Sequence, residues 1–136
     1  PGESNQDFEN TLELVNKINF INSYSFVFNP RPGTAAENLD PVKKEISDKR
    51  LSIIQNILFK NQINRNKSFE NMIVNVLVEN QMKDKTKLFG RTEFMTPVIF
   101  EGEIKNIGQI IEVKINSSNH NTLFGKIIEK KNKQVA

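Results

Sequence analysis

From Met72 onward the apolar side chains recur with a period of two, and that change of period constrains the fold more than any other feature of the chain. Ile73-Val74-Asn75-Val76-Leu77-Val78-Glu79 predicts a strand. Leu88 to Met95 predicts a second, interrupted by Gly90, and Val98-Ile99-Phe100, entered through Pro97, a third. Gly102 and Gly108 bracket a turn region. Ile110-Ile111-Glu112-Val113-Lys114-Ile115 and Leu123-Phe124-Gly125-Lys126-Ile127-Ile128 predict the fourth and fifth. Five short strands in about 60 residues, with glycines inside two of them to allow sharp bends, fit a small closed or nearly closed antiparallel barrel. An OB-like barrel is expected, with an SH3-like barrel as the structural competitor.

Before Met72 the pattern differs. Ser4, with Asp7 three residues later, forms a variant capping box, and Phe8, Thr11, Leu12, Val15 and Ile18 share one helical face, so a helix is expected over 5–18. Residues 20–28 are rich in aromatic and β-branched side chains and run into a Pro-rich stretch, which predicts a strand buried on both faces. Asn29-Pro30-Arg31-Pro32-Gly33-Thr34 is a shaped loop. Asp40-Pro41 reads as a helix start, and the apolar stripe from Val42 to Phe59 carries that helix to about Arg65. Helix, strand, rigid loop and helix are what one unit of an α/β barrel looks like. The expected class is therefore α+β: a helix–strand–helix remnant of an α/β barrel over 1–66, a five-stranded antiparallel barrel over 67–133, and a tail at 134–136. A lone parallel strand has no hydrogen-bonding neighbour, so residues 20–28 are expected to pair elsewhere, with self-association as one outcome.

Composition narrows the chemistry. The 136 residues include no cysteine and a single histidine, His120. Disulfides, thiolate zinc sites, protein-held iron–sulfur clusters and cysteine nucleophiles are excluded within this chain, and a histidine-rich metal site or a catalytic triad has little to build on. No apolar run approaches the roughly 20 residues of a membrane span, and no signal peptide opens the chain, so a cytoplasmic location is the default. A start at Pro1-Gly2 reads as a segment cut from a longer protein. Lys plus Arg is 19 and Asp plus Glu is 16, for a net charge of +3. Residues 1–66 balance at eight basic and eight acidic side chains, so the whole excess falls in the second half. Lys83, Lys85 and Lys87 cluster within five residues, and Lys126, Lys130, Lys131 and Lys133 crowd the C-terminus. Such clusters either contact phosphates or decorate a solvated turn and a tail.

Several segments, in one order along nearly the whole chain, resemble the bacterial radical-SAM methylthiotransferase family, in particular its tRNA-modifying branch. Pro1-Gly2-Glu3 resembles the end of the family's Gly-Phe-Pro-Gly-Glu-Thr loop, with Ser4 where Thr is usual. Tyr24-Ser25-Phe26-Val27-Phe28-Asn29-Pro30-Arg31-Pro32-Gly33-Thr34-Ala35-Ala36 resembles its Tyr-Ser-Pro-Arg-x-Gly-Thr-Pro-Ala segment. Lys43-Lys44-Glu45, Arg50-Leu51, Gln55 and Gln62 resemble the helix leading out of the radical-SAM domain. Val76-Leu77-Val78-Glu79, Gly90-Arg91-Thr92, Val98-Ile99-Phe100, Gly108, Val113-Lys114-Ile115 and Leu123-Phe124-Gly125 resemble the TRAM domain, an RNA-binding barrel. Thr96 departs from a common Asn, and Pro97 is additional. The resemblance implies a parent enzyme with two 4Fe-4S clusters held by cysteines N-terminal to Pro1. That enzyme would use S-adenosylmethionine to attach a methylthio group to a prenylated adenosine beside the anticodon. This chain would have no catalytic residue or cofactor of its own; its partners would be a tRNA anticodon stem-loop and the N-terminal remainder of the parent. The sister class, which modifies a ribosomal protein, and a scaffold with no tight ligand are the competing readings.

The candidate site residues follow. Arg31, at the end of a barrel strand in the parent, and Thr34 would line a substrate or S-adenosylmethionine pocket; alternatively Arg31 pins its own loop to a carboxylate. Glu3 would be a pocket residue or a charge beside a helix N-terminus. Lys83, Lys85, Lys87 and Arg91, with Lys114 and Lys126 on adjacent strands, would neutralise RNA phosphates, positioning the RNA without reading its sequence. Phe89 or Phe94 would offer a stacking face to an unpaired base or belong to the core. Alternation places Phe89 and Arg91 on one face and Phe94 on the other, unless a bulge intervenes at Gly90. His120 lies in an Asn-rich turn and reads as solvated.

Overall fold

The computed structural model describes residues 1–128, which divide into two compact units, one of Pro1–Gln62 and one beginning at Ile63. Two helices precede five strands, and the class is α+β. Lys130, Lys131 and Lys133 lie outside the described residues.

In the first unit, α1 (Asn5–Lys17) begins as its sequence dictates. The Ser4 hydroxyl accepts from the Asp7 backbone N–H at 3.1 Å, and the Asp7 carboxylate accepts from the Ser4 N–H at 2.8 Å. The Ser4 hydroxyl also donates to the Asp7 carboxylate at 2.7 Å, and this bond, ahead of the one from the Ser4 backbone N–H, holds the Asp7 carboxyl below its ordinary value. Phe8 and Val15 face inward. The α2 helix (Lys44–Ser68) starts later than Asp40-Pro41 suggests. The first carbonyl to accept a helical bond is that of Lys43, from Ser47 N–H at 3.0 Å, so Asp40 and Pro41 belong to the loop. Proline at a first helical position favours a start there but does not compel one. The expected strand at 20–28 is corrected outright: among the described residues no strand precedes Ile73. A strand is defined by a ladder, and residues 20–28 pair with no other segment among the described residues. Its aromatic side chains stay outside, Tyr24 at 83% and Phe26 at 82% exposure.

The second unit holds β1 (Ile73–Gln81), β2 (Lys87–Thr92), β3 (Pro97–Glu101), a 3-10 turn at Ile104–Asn106, β4 (Ile110–Ser118) and β5 (Leu123–Ile127). They close a barrel in the order β1-β2-β3-β5-β4. The expectation of an antiparallel barrel holds for four of the seams, but β3 and β5 pair in parallel. The reason is parity: an odd number of strands cannot close a ring with every neighbour reversed. Inward alternation fills the barrel with Val76, Val78, Leu88, Val98, Phe100, Val113, Ile115 and Leu123, all essentially inaccessible, and Phe69 closes one end. β2 stops at Thr92, not Met95. The Thr92 hydroxyl accepts from the N–H groups of Phe94 and Thr96, and Met95 takes φ of 61°, so Phe94 sits in a turn where strand alternation no longer applies.

The end of α2 is tied to the barrel by side chains that sequence patterning does not reveal. Asn66 donates to the carbonyls of Asn119 and His120, both at 2.9 Å. The Arg65 guanidinium lies between two rings, 5.0 Å from the centroid of Phe69 and 5.3 Å from that of Phe94.

Candidate nucleic-acid interface

The loop between β1 and β2 owes its shape to Asp84. Its carboxylate accepts from the backbone N–H of Thr86 and of Lys87 and from the Thr86 hydroxyl, all near 3.0 Å. Lys85 takes φ of 52°, and its carbonyl accepts from the Gln81 side chain at 2.7 Å. Lys83, Lys85 and Lys87 are thus exposed on an ordered turn, with Lys87 paired to Asp84 at 3.2 Å. Desolvation pushes the Asp84 carboxyl up, but the hydrogen bonds from Thr86 and Lys87 outweigh it and hold the group below its ordinary 3.8. A depressed carboxylate pKa contributes order above the ordinary value and loses it as pH falls through the folded value. The protection of the Thr86 and Lys87 amides, measured as observed exchange against the intrinsic rate at the same pH, is therefore expected to hold down to about pH 4 and to fall below it. Protection unchanged through pH 2 would show that the loop does not depend on the Asp84 charge.

β2 carries Lys87, Phe89 and Arg91 outward. The Arg91 guanidinium lies 5.5 Å from the centre of the Phe89 ring and 3.8 Å from the Glu79 carboxylate. Register then aligns two rows across the outer surface. In one, Phe89 faces Ile99 on β3, which faces Phe124 on β5. In the other, Lys87 faces Glu101, Glu101 faces Lys126, and Lys126 faces Lys114 on β4. Lys114 and Lys126 are exposed like charges on neighbouring strands, an arrangement that favours an anion between them. The apolar row floors a groove of about 560 Å³, with Met82, Lys83 and Lys87 at its margin. A polyanion with exposed bases fits this combination of cations and half-buried rings.

The remaining sequence candidates lie elsewhere. Glu3 pairs with the Arg50 guanidinium at 2.5 Å and lines a cavity of about 440 Å³ together with Tyr24, Phe26, Phe28 and Arg50. Arg50 also donates to the Glu3 carbonyl and the Asn5 side chain and lies 5.3 Å from the Phe8 ring centre. Arg31 and Thr34 do not line that cavity. The Arg31 carbonyl accepts from the Thr34 hydroxyl at 2.8 Å, and the Gly33 N–H donates to Glu37 at 2.8 Å, so backbone groups rather than the guanidinium pin this loop. His120 is exposed, with Nε2 2.8 Å from the Asn121 amide. Phe94 is 43% exposed and shares Arg65 with Phe69. Among the described residues no group of side chains could hold a metal ion, and no helix is long and apolar enough to cross a membrane.

Sequence reasoning missed Ile99 and Phe124 as members of the groove. The signal was present: Leu88-Phe89-Gly90-Arg91 and Leu123-Phe124-Gly125-Lys126 repeat one pattern of buried leucine, outward phenylalanine, glycine and outward cation.

Comparison with known proteins agrees with this architecture. Residues 67–128 match the TRAM domain. All 136 residues align at 61% identity with a tRNA-2-methylthio-N(6)-dimethylallyladenosine synthase of Pelagibacter ubique (strain HTCC1062), covering 30% of that protein. Enzymes of the same name from Ruthia magnifica subsp. Calyptogena magnifica and Legionella pneumophila (strain Corby) match at 40% over 94% of the chain and 41% over 96%, covering 29% and 30% of their lengths. The chain thus spans under a third of the relatives it matches. Over its whole length the chain is similar to the C-terminal part of these synthases, and its residues 67–128 form a TRAM domain.

Proposed function

We propose that the barrel is the RNA-contacting module of a tRNA methylthiotransferase and that it docks the anticodon stem-loop carrying the prenylated adenosine. The observation that carries this reading is the placement of Lys83, Lys85 and Lys87 on an ordered turn beside the Phe89–Ile99–Phe124 groove. Arg91, Lys114 and Lys126 continue the cationic surface, and Phe89 offers the stacking face. Phosphate contacts of this kind set register and orientation; the chemistry belongs to the parent enzyme, with its two 4Fe-4S clusters and S-adenosylmethionine held by sequence other than this chain. Glu3, Arg31 and Thr34 are assigned to the parent's substrate or S-adenosylmethionine pocket. The relatives that the chain matches and its cationic surface support the tRNA reading over the ribosomal-protein one.

Titration of the 136-residue chain with an anticodon stem-loop RNA at two salt concentrations tests the proposal. Affinity is expected to fall steeply as salt rises, because each neutralised phosphate releases counterions. Absence of binding even at low salt would overturn it. Residues 20–28, with Tyr24 and Phe26 outside, are the proposed self-association segment. Sedimentation of the chain is expected to show dimers that dissociate on Phe26→Asp substitution, and a concentration-independent monomer would remove that part.

A further inference from the structure

The barrel is built from two equivalent hairpins. β1 and β4 have the same length and the same burial pattern, position by position. Each is followed by a strand containing Leu-Phe-Gly-cation, with Leu88 and Leu123 at 0% exposure and Phe89 and Phe124 half-buried on the outside. A Cβ built on Gly90 would lie 2.6 Å from Val76 Cγ1, and one on Gly125 would lie 2.6 Å from Val113 Cγ1. Val76 and Val113 occupy corresponding positions in β1 and β4. Each hairpin also carries a bulge at the same place, between Val78 and Asn80 opposite Gly90-Phe89, and between Ile115 and Ser117 opposite Gly125-Phe124. Bulges re-aim the side chains beside them. The glycine lets its strand press on its partner, which bulges directly opposite, and strand alternation turns the phenylalanine beside the glycine outward, so two rings are presented in the same setting.

We infer that Phe89 and Phe124 form a matched pair of base-stacking subsites, so that the ligand of this face is an unpaired stretch of RNA and not a duplex. The inference rests on the RNA-binding reading above and names the substrate class for it. β3 lies between β2 and β5, so the backbones of the two phenylalanines are about 10 Å apart, with Ile99 as apolar floor between them. Strands β2 and β5 run in opposite directions. Arg91, two residues after Phe89, therefore falls on one side of the aromatic row, while Lys126, two residues after Phe124, falls on the other beside Lys87 and Glu101. A single strand crossing the row meets cations before and after its bases. A duplex cannot use the rings, because its bases are already stacked and its edges paired.

The test uses the 136-residue chain and a short RNA hairpin with 2-aminopurine in its unpaired loop, against a fully paired RNA of the same length. Binding is expected to quench the loop fluorophore. Phe89→Leu and Phe124→Leu keep an apolar side chain but remove the π-face, and each is expected to weaken hairpin binding by about fivefold or more while leaving duplex binding unchanged and the barrel folded. Salt-dependent hairpin binding with no quenching, and with Phe124→Leu indistinguishable from wild type, would overturn the stacking pair and leave the RNA-binding reading standing on its lysines. Failure of the wild-type chain to bind either RNA at low salt would overturn both.

Discussion

Gly90→Ala is expected to lower the denaturation midpoint of the barrel sharply, and Gly125→Ala to do so by a similar amount. At each position the added methyl would meet a core valine and, closer still, a backbone carbonyl oxygen: that of Leu77 for Gly90, and that of Lys114 at 2.5 Å for Gly125. Neither neighbour has room to retreat. Val76 and Val113 are wholly buried, and the two carbonyls belong to strands held on both edges. Overpacking of this kind costs about 3 kcal/mol, a large share of the roughly 5–15 kcal/mol that holds a small domain folded. Gly108→Ala is the informative contrast. Gly108 has φ of 81° but open space around it, so alanine there meets conformational strain alone, about 1 kcal/mol. The chain has no tryptophan, and its one tyrosine, Tyr24, lies outside the barrel. Urea titration should therefore be followed on the NMR methyl signals of Leu88 and Leu123. Midpoints for Gly90→Ala and Gly125→Ala within error of Gly108→Ala would show that the strands yield, and would remove the argument that these glycines exist to let them touch.

The second large effect concerns the ordered turn. Replacing Lys83, Lys85 and Lys87 together by glutamine is expected to reduce the slope of log affinity against log salt by about 2 to 3 and to weaken binding of a stem-loop RNA at low salt by on the order of 100-fold. The turn should keep its shape in this variant, because Asp84 is held by backbone N–H groups and the Thr86 hydroxyl that the substitutions leave in place. Amide exchange of Thr86 and Lys87→Gln checks that separately from affinity. A variant with wild-type slope would place the phosphate contacts on some other surface of the barrel. A loss confined to Lys87 alone would instead point to the row it shares with Glu101, Lys126 and Lys114.

Much of this molecule was legible in its residues because the determining signals are local. The Ser4–Asp7 cap, the alternation of Val76 and Val78 with Asn75 and Leu77, and the glycines within β2 and β5 each act over a few positions, and each marks an element that formed, although β2 ends at Thr92 rather than Met95. The clustering of Lys83, Lys85 and Lys87 was visible for the same reason. The candidate interface was half legible: its lysines and Phe89 stand out along the chain, while Ile99 and Phe124 join them only through the register of β2, β3 and β5.

What the chain by itself determined was the type of each barrel element and the identity of its inward side chains, since backbone geometry fixes which residues share a face. What only the tertiary structure decided was who stands beside whom. Ring closure with five strands forced β3 and β5 into parallel pairing, which no local pattern encodes. Residues 20–28 have the composition of a strand yet form none, because a ladder needs a paired neighbour and they have none among the described residues. The turn closed by Thr92 took Phe94 out of alternation and set it against Arg65. Closure of the ring and the meeting of Phe94 with Arg65 bring together residues far apart in sequence, and they depend on closing loops whose outcome local preference cannot specify.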